Sequence, residues 1–182
     1  THATHPFDDA LALAPGAPDH FSGRTTPGYW NMVGPYGGIT AATLLQAVLR
    51  HPLLLGEPLS LTVNYAGALE AGPFTLQAVP VRTNRSTQHW TLAISQAGAD
   101  GQPVVTTTAT AVTATRRDTW SASDQPLPPV PAPAQCPQAE AFFGSEWLRR
   151  YEMRLVEGSL PTQWDGSGDS SLTRLWMRDA PA

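Results

Sequence analysis

The sequence predicts an α+β domain in which an antiparallel sheet wraps one long central helix, and two observations lead there. Residues 34–52, GPYGGITAATLLQAVLRHP, read as a glycine-rich turn opening into a helix of about 20 Å. Pro52 bounds it, and Ile39, Ala41, Ala42, Leu44, Leu45, Ala47, Val48 and Leu49 make it apolar round most of its circumference. Such a helix needs burial on several sides. Residues 59–115 then turn to alternating, β-rich segments with short turns, material for a sheet able to cover it.

Composition sets the outer bounds. A chain of 182 residues, 41% of them hydrophobic, suits one full domain plus a remainder and is enough for a proper core. The net charge is −4, and all eleven basic residues are arginines scattered along the chain. With no basic block, nucleic acid is not an expected partner. Cys136 stands alone and cannot form an internal disulfide, so nothing points to an oxidising compartment. The opening THATHPFDD lacks the basic start and apolar run of a signal peptide, and no apolar stretch approaches the roughly eighteen residues of a membrane span. The expectation is a cytoplasmic protein with no membrane partner.

Taken in order, residues 7–14 (FDDALALA) suit either a short strand or a helical turn, and the APGAPD that follows interrupts both. Residues 20–33 carry aromatics around a central Pro-Gly, which predicts a curved strand or hairpin delivering Trp30 and Tyr36 beside the helix start. After the helix, alternation puts Leu59, Leu61, Val63 and Tyr65 on one face and Ser60, Thr62, Asn64 and Ala66 on the other, and one face goes to the helix. A turn at 69–72 leads to a second strand, 74–82, whose Pro80 implies a bulge or an edge. The turn Thr83-Asn84-Arg85 leads to STQHWTLAISQA, and GADGQP leads to the Thr- and Val-rich PVVTTTATAVTAT. Four strands in succession predict an antiparallel meander.

Residues 121–138 hold six prolines, which forbid helix and central strand and favour an extended connector. The chain therefore divides into a domain at 1–120, a Pro-rich linker at 121–140 and the opening strands of a second, incomplete domain at 141–182. Two strands with no helix to cover them cannot bury a core. Those at 151–156 and 172–177 are expected to pair with the sheet of the first domain or with another subunit.

Four stretches carry a family resemblance: W-x-x-x-G-x-x-GG-x-x-A-A at 30–42, SLTVNY at 60–65, AGPF at 71–74, and VRTNRST leading into a strand that ends near Gln96. In this order and spacing the chain resembles the acyl-CoA thioesterase II-like family of double-hotdog proteins over 7–114, and weakly again over 142–178. The resemblance implies a hotdog fold, with this chain as the first half of a double hotdog. It also implies an enzyme that hydrolyses a fatty acyl-CoA thioester to free acid and coenzyme A, with coenzyme A part of the substrate and neither separate cofactor nor metal. The implied partners are acyl-CoA and either a second copy of the chain or the rest of a double hotdog.

The helix start carries the most chemistry. Gly37 and Gly38 leave first-turn N–H groups sterically open, and a helix N-terminus can polarise a thioester carbonyl or bind a phosphate. Equally, the pair can serve only a tight turn and close packing. Tyr36, Gly37 and Gly38 are candidate substrate contacts on the first reading. Asn64, where related sequences often have histidine, could hydrogen-bond the acyl group or water, or satisfy a neighbouring element. Arg82 and Arg85 match basic positions of the family and could meet coenzyme A phosphates, or mark a solvated hairpin end. His89 reads as structural or exposed, with no acid in reach.

A hydrolase also needs a base or a positioned water. Between Asp19 and Glu70 the sole acid is Glu57, beyond the helix, so the helix offers only Thr40, Thr43, Gln46 and Arg50 along one strip, of which Thr43, Gln46 and Arg50 read as the exposed seam of a mostly buried helix. The resemblance places the catalytic aspartate, threonine or serine, and glutamine on the second hotdog, and none of them can be assigned here. Thioesterase leads, with a non-catalytic acyl-CoA binder or scaffold as the alternative. A hotdog hydratase or dehydratase comes third, for want of an aspartate and histidine near the helix.

Overall fold

The computed structural model describes residues 5–139, 145–158 and 170–180. The chain forms two compact units, Thr1–Asp118 and Thr119–Ala182. In the first, α1 (Pro6–Ala10) is a short helix started by Pro6 and capped by His5, whose Nδ1 accepts the Phe7 N–H at 3.2 Å. Residues 7–14 thus divide between helix and strand, because β1 (Ala14–Pro15) follows at once. The chain turns through Asp19, at φ 62, into β2 (His20–Arg24), then through a 3-10 turn at Pro27–Tyr29 to α2 (Gly37–Leu49). Strands β3 (Glu57–Tyr65), β4 (Pro73–Thr83), β5 (Thr87–Ala97) and β6 (Pro103–Ala114) complete the unit.

The sheet is antiparallel throughout, in the order β1-β2-β4-β5-β6-β3. The expected simple meander is corrected here: β3 pairs with β6 at the edge and does not touch β4. Two local causes are visible. The first residues of β4, Pro73 to Gln77, are already paired with β2. The chain leaving the helix passes Ala114 at Gly56, where φ is 73 and any Cβ would overlap the Ala114 carbonyl. That close approach feeds β3 in beside β6. Pro80 fits both of its predicted roles, since the β4–β5 register shifts between Pro80 and Arg82 and β2 does not reach that far.

The helix packs on the sheet through Leu44, Ala47 and Val48, which join Leu76, Ala78, Trp90, Leu92 and Ile94 in one core. Burying a side chain such as Leu44 contributes about 1.5–3 kcal/mol. Of the expected exposed seam, Arg50 is exposed and Gln46 half-buried, but Thr43 is corrected: it is buried, as is Thr40, and donates its hydroxyl proton to the Ile39 carbonyl at 2.8 Å, which satisfies it within the helix. Along β3, Leu61 and Val63 pack against the core, whereas Leu59 falls in the bulge between Pro58 and Ser60 and stays half exposed.

In the second unit, β7 (Tyr151–Glu157) and β8 (Arg174–Asp179) pair with each other, Met153 opposite Met177. One edge of each strand is thus filled within this unit. The end of the proline-rich segment lies along β7, with Ala139 N–H on the Met153 carbonyl at 2.8 Å and Leu155 N–H on the Pro137 carbonyl at 2.9 Å. Glu152 takes hydrogen bonds from Arg154 and Arg178, which hold its carboxyl below the usual carboxylate range.

Candidate functional site at the start of the central helix

Two short clamps aim the helix start. Tyr36 donates its N–H to Tyr29 at 2.8 Å, and Asn31 donates to Gly34 at 2.7 Å, so the loop before the helix is closed on itself. Gly34 lies against the chain beyond β3, where a Cβ would stand 2.7 Å from the Leu69 carbonyl. The Tyr36 carbonyl accepts from Ile39 and Thr40 at 3.1 and 3.3 Å, which begins the helix. The N–H groups of Gly37 and Gly38 have no acceptor among the described residues.

Each glycine of the pair faces a tyrosine ring. A Cβ on Gly37 would sit 3.2 Å from the Tyr65 ring, and one on Gly38 would overlap the Tyr36 ring. Tyr65 donates its phenol proton to the Gly37 carbonyl at 2.6 Å and so ties the end of β3 to the first turn. Burial raises its pKa above the usual phenol value, and the neighbouring Tyr36 adds to the shift. Both readings of Gly37 and Gly38 thus find a physical basis, because the absent side chains make room for the rings while the amides stay free.

Of the two glycines, Gly37 lines a cleft of about 400 Å³ whose walls also include Asn31, Val33, Thr40, Tyr65 and Leu69. Its lining holds no carboxylate, imidazole or cationic side chain. It can therefore orient and polarise a carbonyl, but it supplies no base. Among the described residues no cluster of His, Cys, Asp and Glu could hold a metal ion.

Of the residues singled out from the sequence, Gly37 lines the cleft, and Tyr36 and Gly38 stand beside it in the first turn. Asn64 does not join them. It is exposed on β3 opposite Thr108, and alternation puts it on the face away from Tyr65. Arg82 and Arg85 are exposed at the β4–β5 hairpin, near the other end of the helix. That hairpin is fastened to the loop after the helix by buried Gln88, which donates to the carbonyl of Leu53 and accepts from the N–H of Leu55. Arg82 bonds the Asn84 side chain at 3.0 Å. His89 is exposed.

The sequence reading missed Tyr65 as a site residue and the pair His51–Asp19. His51, buried just past the helix, accepts the Leu53 N–H on Nδ1 and thus carries its hydrogen on Nε2, 2.9 Å from an Asp19 carboxylate oxygen. The expectation of no aspartate and histidine near the helix is corrected by this pair. It stands at the opposite helix end from the open amides, against the Trp90 ring at 5.0 Å. Tyr65 could have been found from its place on the helix-facing side of β3. The 32-residue separation of Asp19 and His51 left no local signal.

Residues 26–114 match the acyl-CoA thioesterase N-terminal domain. Among solved structures, the chain is similar to a conserved hot dog fold protein of unknown function from Alicyclobacillus acidocaldarius, with 46% identity over 97% of this chain and 63% of that one, and a TM-score of 0.85. It shares its fold with acyl-CoA thioesterase II TesB2 from Mycobacterium marinum at 18% identity, over 95% of this chain and 60% of the other, with a TM-score of 0.70. A putative thioesterase II from Thermobifida fusca YX is 18% identical over 83% and 54% of the two chains, at a TM-score of 0.68. The chain therefore has the hotdog fold and spans between 54% and 63% of the length of these relatives. No curated protein matches it.

Proposed function

We propose, on the premise that residues 26–114 belong to the acyl-CoA thioesterase N-terminal domain family, that the protein hydrolyses acyl-CoA thioesters to free acid and coenzyme A. The observation that carries this reading is the unoccupied first-turn amides of Gly37 and Gly38, the first of which lines a cleft of about 400 Å³. Preorganised donors of this kind stabilise the oxyanion that develops when water attacks the thioester carbonyl. Since the cleft has no base, the group that activates water comes from outside this unit, and a second hotdog completing 141–182 is its proposed source.

Arg82 and Arg85 are proposed contacts for the phosphates of coenzyme A. They stand about one helix length from the amides, ~18 Å for thirteen residues, a separation that an extended pantetheine arm would have to span. The outer edge of β3 is unpaired within this unit and is the proposed seam with the second hotdog or a second copy. No helix among the described residues is long and apolar enough to cross a membrane.

The lack of any carboxylate or imidazole in the cleft favours a second reading, a non-catalytic acyl-CoA binder. Release of free thiol from a panel of acyl-CoAs by the longest native protein separates the two. Turnover supports the hydrolase, whereas calorimetric binding without turnover transfers the assignment to the binder.

A further inference from the structure

Inward of the cleft at the helix start lies a second, smaller pocket between the first turns of α2 and the sheet, and the two share Pro35, Thr40 and Leu69 in their walls. A group held by its carbonyl at the Gly37 and Gly38 amides would send its tail past Thr40 toward this pocket. The free space there is about 20 Å³, room for roughly one water. Leu69, Phe74 and Ile94, all buried, form its apolar wall, and Arg24, Thr25 and Thr26 also line it. Phe74 is held in place from behind. It pairs with Gly23 on β2, where a Cβ would stand 2.5 Å from its ring, so the ring occupies the volume a side chain would have taken.

We infer that Leu69 and Phe74 plug the interior of this unit, so that the acyl group accepted at the helix start is short and a fatty tail finds no chamber between helix and sheet. The inference rests on the proposed acyl-CoA reading and narrows its substrate class. Thr40 lies where the tail would pass, and no side-chain hydrogen bond holds its hydroxyl to another described residue, so the passage is itself partly polar.

The test measures binding of non-hydrolysable acyl-CoA thioethers from acetyl to dodecanoyl by calorimetry, on the longest native protein, beside thiol release from the matching thioesters. Each newly buried methylene strengthens binding roughly fourfold. In the wild type this gain should stop at about butyryl. In Phe74→Ala, and independently in Leu69→Ala should the first fail to fold by circular dichroism, it should continue through longer chains. A wild-type affinity that climbs steadily to dodecanoyl, or variants whose profile runs parallel to it, would overturn the inference. Binding with the expected profile but without thiol release would defeat the hydrolase reading alone, and no binding at any chain length would end both.

Discussion

At the scale of single residues, the first turn of α2 is set by side chains that are absent and by one phenol that is present. Tyr65→Phe removes the bond to the Gly37 carbonyl and keeps the ring. It should lower kcat several-fold while changing KM little, if Tyr65 orients the amides and does not touch substrate. The pH dependence has a definite sign. Tyr65 holds its proton more tightly in the fold than in the unfolded chain, so its contribution to stability is complete below the ordinary phenol pKa of 10.0 and is lost as pH rises through the higher folded value. Chemical denaturation followed above pH 10 should show a shallower loss of stability for Tyr65→Phe than for the wild type. Arg85→Ala should raise KM with little change in kcat, since a phosphate contact binds ground and transition states alike. An unchanged KM would remove the hairpin from the site. Residue-level chemistry was legible in part: the glycine pair could be read from its spacing, because a helix start is local. The hydroxyl of Tyr65 and the pair His51–Asp19 depend on contacts made only after β3 and β2 have found the sheet.

At the scale of elements, the helix and every main strand of the first unit were legible, because the apolar helix and the period-two strands are local patterns. The order of the strands was not. A meander was the natural reading of four consecutive strands, and the close approach at Gly56 together with the earlier claim of β2 on β4 moved β3 to the far edge. What fixes the loop between helix and β3 is Gln88, wholly buried, with its amide nitrogen shared between the Leu53 carbonyl and the Thr83 hydroxyl and its oxygen on the Leu55 N–H. Gln88→Ala leaves these groups, on exposed and half-buried residues, without their side-chain partner, at a cost of about 1–3 kcal/mol for each group that stays dry. Urea denaturation should show a fall of at least that size. A change below about 0.5 kcal/mol would fit an ordinary surface substitution instead and would show that water replaces the side chain. Leu44→Ala, in the centre of the helix's buried face, should cost about 2–5 kcal/mol by the same measurement.

At the scale of the whole molecule, the first unit has a complete core but an incomplete site. Its cleft offers donors without a base, and its sheet ends on β3 with an unpaired edge. Both gaps are of the kind a second hotdog would fill. If β3 is that seam, Val63→Pro, which removes an N–H that points to the open edge because the neighbouring even-numbered residues bond β6, should weaken assembly in light scattering, provided circular dichroism shows the unit still folded. An unchanged assembly state in such a variant would place the seam elsewhere. The central claim, that backbone donors at the helix start do the polarising, has its most direct test at Gly37. Proline is favoured at the first helical position and lacks an N–H, so Gly37→Pro deletes one donor while preserving the helix start, and Gly37→Ala adds a Cβ while keeping the donor. The measurement is kcat for thiol release from a short acyl-CoA by the two variants in the native protein. The account predicts that Gly37→Ala keeps most of the wild-type rate and that Gly37→Pro falls about a hundredfold or more below it; equal rates in the two variants would contradict it.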